Sequence, residues 1–523
     1  MPRDRIAATL TRMNTLAPAD SAELRRELRE ASQVMPLGWS AGRRRFSFQA
    51  PLTLPLAGGG YALLTTAEGT RYLGQVLDRG VTERTGPTWK LEMQTEASSG
   101  SGRVREAQVE VPIRLVEGSG DLLARLEGEE LVAVSAEDSF READLAVAPP
   151  DAVAGFLEHV DAGATPLDVG EAASGGRALL HAEGFARHTF LCGQSGAGKT
   201  YALGVLLERL ILETELRLVV LDPNGDYVGL GSARESGGPA ELYANAAQGV
   251  RVFSRDHEPL RLRFGELSPG TRAAVVGLDP LRDREEYGAF DRLAEGRDSL
   301  AAVRDAAVAE GSPEGTQIAL RIDNLGVDGW KLWAEAEEAS VLDAVTGDAR
   351  ATVIDLSSLD TPEEQALSAG AVLSSLWERR ADRRPGLVVI DEAHNVCPAA
   401  QPARLGLEGR DLVVRIAGEG RKYGLYLLLV TQRPEKLEPN ALTQCDNLAL
   451  LRLNGAADVA RIASAFSFVP PSLLAEAPSF AKGEALLAGG IVGRPTRARF
   501  GGRLSPEGGG DVPTGWARPR RGG

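Results

Sequence analysis

Gly193-Gln194-Ser195-Gly196-Ala197-Gly198-Lys199-Thr200 fits the phosphate-loop pattern GxxxxGK[ST]. Thr189-Phe190-Leu191-Cys192 before it is a short apolar run that predicts a buried strand. The stretch from Tyr201 to Leu210 after it has helical spacing. Strand, glycine loop and helix together are the context a nucleotide-phosphate site requires. The glycines let successive backbone N–H groups converge on a phosphate, and the helix adds its N-terminal dipole. Lys199 is expected to reach the β- and γ-phosphates, and the Thr200 hydroxyl to ligate Mg²⁺. Gly193, Gln194, Ser195, Gly196, Ala197, Gly198, Lys199, Thr200 and Tyr201 form the candidate nucleotide-binding set.

The flanking pattern is strand-then-helix, as a parallel sheet needs. Leu216–Leu221 is a near-continuous apolar strand that runs into Asp222-Pro223-Asn224-Gly225-Asp226-Tyr227. Ligands sit at the carboxyl ends of such strands, so Asp222 and Asp226 either face the metal or water, or cap a loop. Further strands are expected at 351–356, 387–390, 425–430 and 448–453. Thr361 and Pro362 open a helix between the first two of these.

The strand at 387–390 ends in Asp391-Glu392. One carboxylate to hold the Mg²⁺ shell and a second to polarise water is what a Walker B site requires, and it points to ATP hydrolysis rather than a kinase. Asp391-Glu392-Ala393-His394 spells the DEAH box of one helicase superfamily, but the arginine-rich motifs that accompany it are not apparent. His394 is read either as support for the site or as a helix-start histidine. Gln432, at the end of the next strand, can sense the γ-phosphate or serve as a turn residue. Arg421, in Gly418-Glu419-Gly420-Arg421-Lys422-Tyr423-Gly424, can act on a neighbouring subunit's nucleotide or form a surface ion pair. Arg187 is a weaker candidate of the same kind.

Outside this core the texture changes. Residues 1–44 read as a helical extension, with Asp20 and Glu23 forming a capping box. Residues 45–150 alternate in short runs punctuated by Gly58-Gly59-Gly60, Ser99-Gly100-Ser101-Gly102 and Gly118-Ser119-Gly120, which suggests a small β-barrel or sandwich. Pro149-Pro150 marks a boundary. The ATPase core then occupies 151–230 and 346–500, interrupted by a mostly helical insertion at 231–345 that includes a β-like piece at Val250–Phe253. Residues 501–523 read as a flexible Gly/Pro/Arg-rich tail.

Composition narrows the class. A chain of 523 residues predicts about three domains. Its net charge of −15 means that contact with nucleic acid must be local. Arg43-Arg44-Arg45 and Arg518-Pro519-Arg520-Arg521 are the visible basic runs, each readable as a contact or as solvated charge. Cys192, Cys397 and Cys445 form no CxxC pair, as in a reduced cytoplasmic protein without structural disulfides or zinc. No apolar run reaches the length of a membrane span, and no signal-peptide core opens the chain.

The ordered set of P-loop, Asp222–Tyr227, Asp391–His394, Gly420–Gly424 and Thr431-Gln432-Arg433-Pro434 resembles the HerA family. The segment around Tyr72–Leu77 looks like that family's N-terminal barrel, and Arg187-His188 sits where the family usually has Arg-His. The resemblance covers roughly residues 45–230 and 350–500. It implies an α/β, RecA-like P-loop NTPase core behind an N-terminal β-barrel. It also implies a hexameric ring that uses ATP and Mg²⁺ to translocate double-stranded DNA, with a partner nuclease or effector, in DNA-end processing or phage defence. In that frame Asp391 supports Mg²⁺, Glu392 is the catalytic base, Gln432 the sensor, and Arg421 acts in trans. Two departures stand out: Gln194-Ser195-Gly196-Ala197 replaces a commoner Thr-Gly-Ser loop, and the N-terminal extension lies outside the pattern. Other readings of the same residues are an export ATPase like those of type IV secretion, and a nucleotide-switched ring scaffold that activates a partner enzyme.

Overall fold

Apolar runs without alternation make strands that are buried on both faces, and this chain places such runs in the middle of a parallel sheet. The computed structural model describes residues 34–508 apart from 95–103, 129, 236 and 336. The chain divides into two compact units, 1–159 and 160–523.

The first unit is built on a seven-stranded sheet whose order is Arg45–Pro51, Leu37–Gly42, Phe140–Val147, Tyr61–Thr66, Arg71–Gln94, Val104–Glu127 and Glu130–Ala133. Arg45–Pro51 also pairs antiparallel with residues 115–121, so all strands but the last form a closed circuit. Phe46, Phe48, Leu64, Val76, Val116 and Leu145 fill its interior.

Three expectations change here. Leu37–Gly42 is a strand of this unit, so a helical extension does not reach residue 44; the capping box at Asp20 and Glu23 lies outside the described residues. Gly118 and Gly120 punctuate nothing, because Val104–Glu127 runs on through them as one strand. A Cβ on either would stand 2.1 Å from a backbone oxygen of the paired strand and 2.5 to 2.7 Å from the ring of Phe46 or Phe48. These glycines make room for the core. Finally, Pro150 opens a helix, Pro150–Val160, which buries Val153 and Phe156 against Tyr61, Leu73 and Ala124. The division of the chain follows that helix instead of preceding it. The run Arg43-Arg44-Arg45 forms the exposed turn of the first hairpin, with Arg43 and Arg44 at φ of 60° and 58°.

The second unit holds an eleven-stranded sheet. Its order begins Val250–Phe253, Ala351–Asp355, Arg217–Asp222, Gly386–Ile390, Leu425–Thr431, Thr189–Cys192 and Asn447–Leu451, all parallel. Glu484–Ala488, Thr496–Phe500, Pro166–Ala172 and Arg177–His181 continue it antiparallel. The β-like piece inside the insertion is thus the sheet's edge strand, while the rest of that segment supplies the helices Pro269–Val275, Arg284–Ala294, Leu300–Glu310, Pro313–Leu325 and Val341–Thr346. The helix at Pro362–Glu378 opens on a capping box in which Thr361 and Glu364 satisfy each other's backbone N–H. The segment 501–508, expected to be flexible, is docked on the sheet's helices. All three cysteines are buried and unpaired. Among the described residues, no helix is long and apolar enough to cross a membrane.

Leu428 is wholly buried in the Leu425–Thr431 strand, so Leu428→Ala should cost about 3 kcal/mol. Leu242→Ala, at a side chain 66% exposed, should stay within about 0.5 kcal/mol. Urea unfolding followed by circular dichroism compares the two.

Candidate nucleotide site

Side by side in the sheet lie Arg217–Asp222, Gly386–Ile390, Leu425–Thr431 and Thr189–Cys192. Because they are parallel, their carboxyl ends share one edge. That edge brings together Asp222, the Asp391-Glu392 pair, Gln432 and the Gly193–Gly198 loop. Cys192 pairs with Thr431, which sets Gln432 beside the start of the loop.

The loop leads into the helix Lys199–Glu213 through Gly198, which is left-handed at φ 97°. The first turn of this helix has no side-chain cap, so its N–H groups remain available to an anion. A Cβ on Gly198 would stand 3.1 Å from the backbone nitrogen of Gly483, whose N–H donates to Ala197 O at 2.8 Å. Gln194 fixes the loop's other end. Its N–H donates to Arg452 O at 2.9 Å, and its Oε1 accepts from Asn454 N at 3.2 Å.

Four carboxylates crowd the edge. Asp222 is fully buried and accepts N–H bonds from Asn224 and Tyr227 at 3.2 and 2.8 Å. Burial pushes its carboxyl up to about 6 against the pull of those donors. Asp226 accepts from the Thr200 hydroxyl at 3.3 Å, and burial raises it as well. Asp391 is raised to about 7, chiefly by burial and further by the charges of Glu392, Asp222 and Asp226, while the Glu392 N–H bond at 2.8 Å opposes the rise. The buried Tyr227 hydroxyl donates to Asp391 Oδ2 at 3.3 Å, and burial among these carboxylates keeps it protonated.

Glu392 has a backbone φ of 42°, a conformation uncommon for a non-glycine residue. Its Oε2 is buried without a hydrogen bond, and His394 Nδ1 lies 3.3 Å from it. His394 Nδ1 also meets Thr431 Oγ1 at 2.9 Å. Burial lowers the imidazole pKa, which favours its neutral form. His394 therefore belongs to the site and sits in a turn, not at the start of a helix. Thr431 and Tyr227 had no role assigned from the sequence. Their signal was adjacency to Gln432 and Asp226.

The donors fit Mg²⁺. The Thr200 hydroxyl and the nearby carboxylates are hard oxygen ligands, and the desolvated acids lack a compensating charge that a divalent cation would supply. Among the described residues no three His, Cys, Asp or Glu form a metal-holding group by themselves, so such an ion would need ligands from phosphate and water as well.

Arg421 and Arg187 lie elsewhere. They precede their strands, at the amino edge of the sheet, and both donate to Asp446 Oδ2, at 2.7 and 3.1 Å. A strand the length of Leu425–Thr431 puts roughly 20 Å between that edge and the loop. Neither arginine reaches the phosphate loop of its own chain.

Residues 167–299 match the family model described as "Helicase HerA, central domain". Over these residues the chain is similar to the central domain of HerA helicases. A probable helicase of Methanocaldococcus jannaschii is 25% identical to this chain over 358 residues, covering 60% of it and 66% of the relative. The DNA double-strand break repair helicase HerA of Pyrococcus furiosus is 22% identical over 387 residues, covering 60% and 65%. The aligned region thus spans just under two thirds of the length of these curated relatives. Among solved structures, VirB4 of Thermoanaerobacter pseudethanolicus superposes with a TM-score of 0.43 at 16% identity, covering 65% of this chain and 97% of that one.

A carboxyl whose pKa is higher folded than unfolded binds more protons when folded, so its burial costs stability increasingly as pH rises between the two values. For Asp391 that window runs from 3.8 to about 7. In EDTA, Asp391→Asn should therefore gain melting temperature relative to the parent as pH rises through this window, and the gain should level off above it. A difference that does not vary with pH would contradict the burial cost.

Proposed function

We propose that this chain is an ATP- and Mg²⁺-dependent translocase of double-stranded DNA that works as a hexameric ring with a partner nuclease or effector, in DNA-end processing or phage defence. The observation that carries the hydrolytic part is Glu392. It holds a strained backbone and an unbonded, buried carboxylate oxygen on the sheet edge that also carries the phosphate loop. Strain of this kind costs about 1–3 kcal/mol and persists where a side chain must be aimed.

In this reading the loop from Gly193 to Gly198 cradles the phosphates and Lys199 pairs with the β- and γ-oxygens. Tyr201 flanks the nucleotide. Thr200 and Asp391 hold Mg²⁺, which when bound neutralises charge developing on the phosphates. Asp226 orients the Thr200 hydroxyl through their bond, and Asp222 shapes the loop that carries Asp226. Glu392 takes a proton from the attacking water, with His394 steering its carboxylate. Gln432 reads the state of the γ-phosphate from the neighbouring strand end.

Arg421 and Arg187 support the ring. They are half exposed at the edge remote from their own loop, where they are positioned to serve a second copy's nucleotide. The closed strand circuit of the first unit is compatible with the barrel of the family. The DNA part rests on the relatives, one of which is described as a DNA double-strand break repair helicase.

ATP turnover with and without linear duplex DNA, with light scattering on the same samples, tests this function. Stimulation by DNA in particles of hexamer mass is the expected result. Glu392→Gln should lower turnover by about 100-fold or more while fluorescent ATP still binds. Full turnover in that variant would remove Glu392 from the base role, and turnover indifferent to DNA would remove the motor.

A further inference from the structure

The helix that follows the phosphate loop carries a carboxylate with no part in phosphate chemistry. Glu208 is completely buried. It accepts from Leu504 N and Ser505 N at 2.7 Å each, and from Ser505 Oγ at 2.6 Å. All three donors belong to the segment 501–508. That segment also buries a guanidinium. The Arg503 side chain is fully enclosed, with Nε 3.8 Å from Glu208 Oε1 and Nη1 donating to Thr200 O at 3.3 Å.

The opposing surface is shaped for this guanidinium. A Cβ on Gly204 would stand 2.6 Å from Arg503 Cζ, so any other residue at this helix position would expel the arginine. The Arg503 N–H donates to Tyr201 Oη at 3.3 Å, and Arg209 Nη2 donates to Gly502 O at 2.6 Å. Further along, Gly508 N–H donates to Asp226 O at 3.0 Å, and Gly508 lies so close to Gly225 O that a Cβ would stand 1.9 Å from it. One short segment thus grips the first turn of the phosphate-loop helix and the Asp222–Asp226 loop together. Those two elements carry Thr200 and its partner Asp226.

Stability alone does not account for the arrangement. A buried ion pair gains little over apolar residues of similar size, and its best-attested use is to specify one geometry. We propose that residues 501–508 form an intramolecular strap that sets the spacing between Thr200 and Asp226, with Arg503 as its positioning residue. The strap thereby tunes how strongly a divalent cation strengthens nucleotide binding. The proposal rests on the nucleotide-site reading above.

The experiment measures binding of mant-ATP by fluorescence anisotropy to the full chain, in Mg²⁺ and in EDTA. The readout is the ratio of the two dissociation constants. Arg503→Ala should lower this ratio about tenfold, the effect of losing one charge-assisted hydrogen bond. Its binding in EDTA should match the parent, because the loop N–H groups and Lys199 remain. Arg503→Lys, which keeps the charge and loses the planar fork, should fall between them. An Arg503→Ala ratio equal to the parent's overturns the strap while leaving the site reading intact. A parent whose binding does not respond to Mg²⁺ overturns the site reading and the strap with it. Should Arg503→Ala fail to fold by circular dichroism, Ser505→Ala decides. It removes one bond to Glu208 and should lower the ratio about threefold; an unchanged ratio overturns the proposal.

Discussion

Acidic groups taken out of water resist ionisation, and this protein buries two of them, Asp222 and Asp391, at the ends of neighbouring strands. The sheet makes that placement unavoidable. Strands that all point one way deliver their last residues to one edge, and here Asp222 and Asp391 are among the residues so delivered. Backbone N–H groups and the Tyr227 hydroxyl offset part of the cost, but among the described residues no buried cation lies directly against Asp391. The edge is built to receive positive charge. Lys199, Thr200 and the uncapped turn of the adjacent helix complete a site in which an anionic phosphate and a cation can be held together.

The same directionality separates two chemistries. The glycine loop and the acidic groups follow their strands, while Arg187, Arg421 and Asp446 precede theirs. The length of the strands keeps these sets apart within one chain. His188 stiffens the amino edge. It is buried, its Nδ1 accepts from Leu427 N at 3.0 Å, and its carbonyl accepts from both Asp446 N and Asn447 N. Burial pushes the imidazole down to about 4, so it remains a neutral acceptor there. The arginine pair is thereby held on a rigid base.

Missing side chains are used as space. Gly118 and Gly120 admit Phe48 and Phe46 into the first unit's core, and Gly204 admits the Arg503 guanidinium beside the phosphate-loop helix. In sequence, a glycine that permits a turn and a glycine that clears room for a neighbour are written identically. Only the partner distinguishes them, and that partner lies about 70 residues away for Gly118 and Gly120, and about 300 for Gly204.

The sequence by itself determined the local chemistry. The phosphate loop with its strand and helix, the Asp391-Glu392 strand end and the parallel α/β pattern all follow from short-range periodicity and spacing, because each is stabilised by residues close in the chain. Tertiary structure decided what depends on distant partners. The order of the strands brought Asp222, Asp391 and Gln432 to one edge and sent Arg421 to the other. Closure of the first sheet drew in Leu37–Gly42, and residues 501–508, the start of a segment with the composition of a flexible tail, are ordered because Glu208 accepts their backbone N–H groups. Composition describes what a segment does in water, whereas docking depends on whether a complementary buried surface exists elsewhere in the fold.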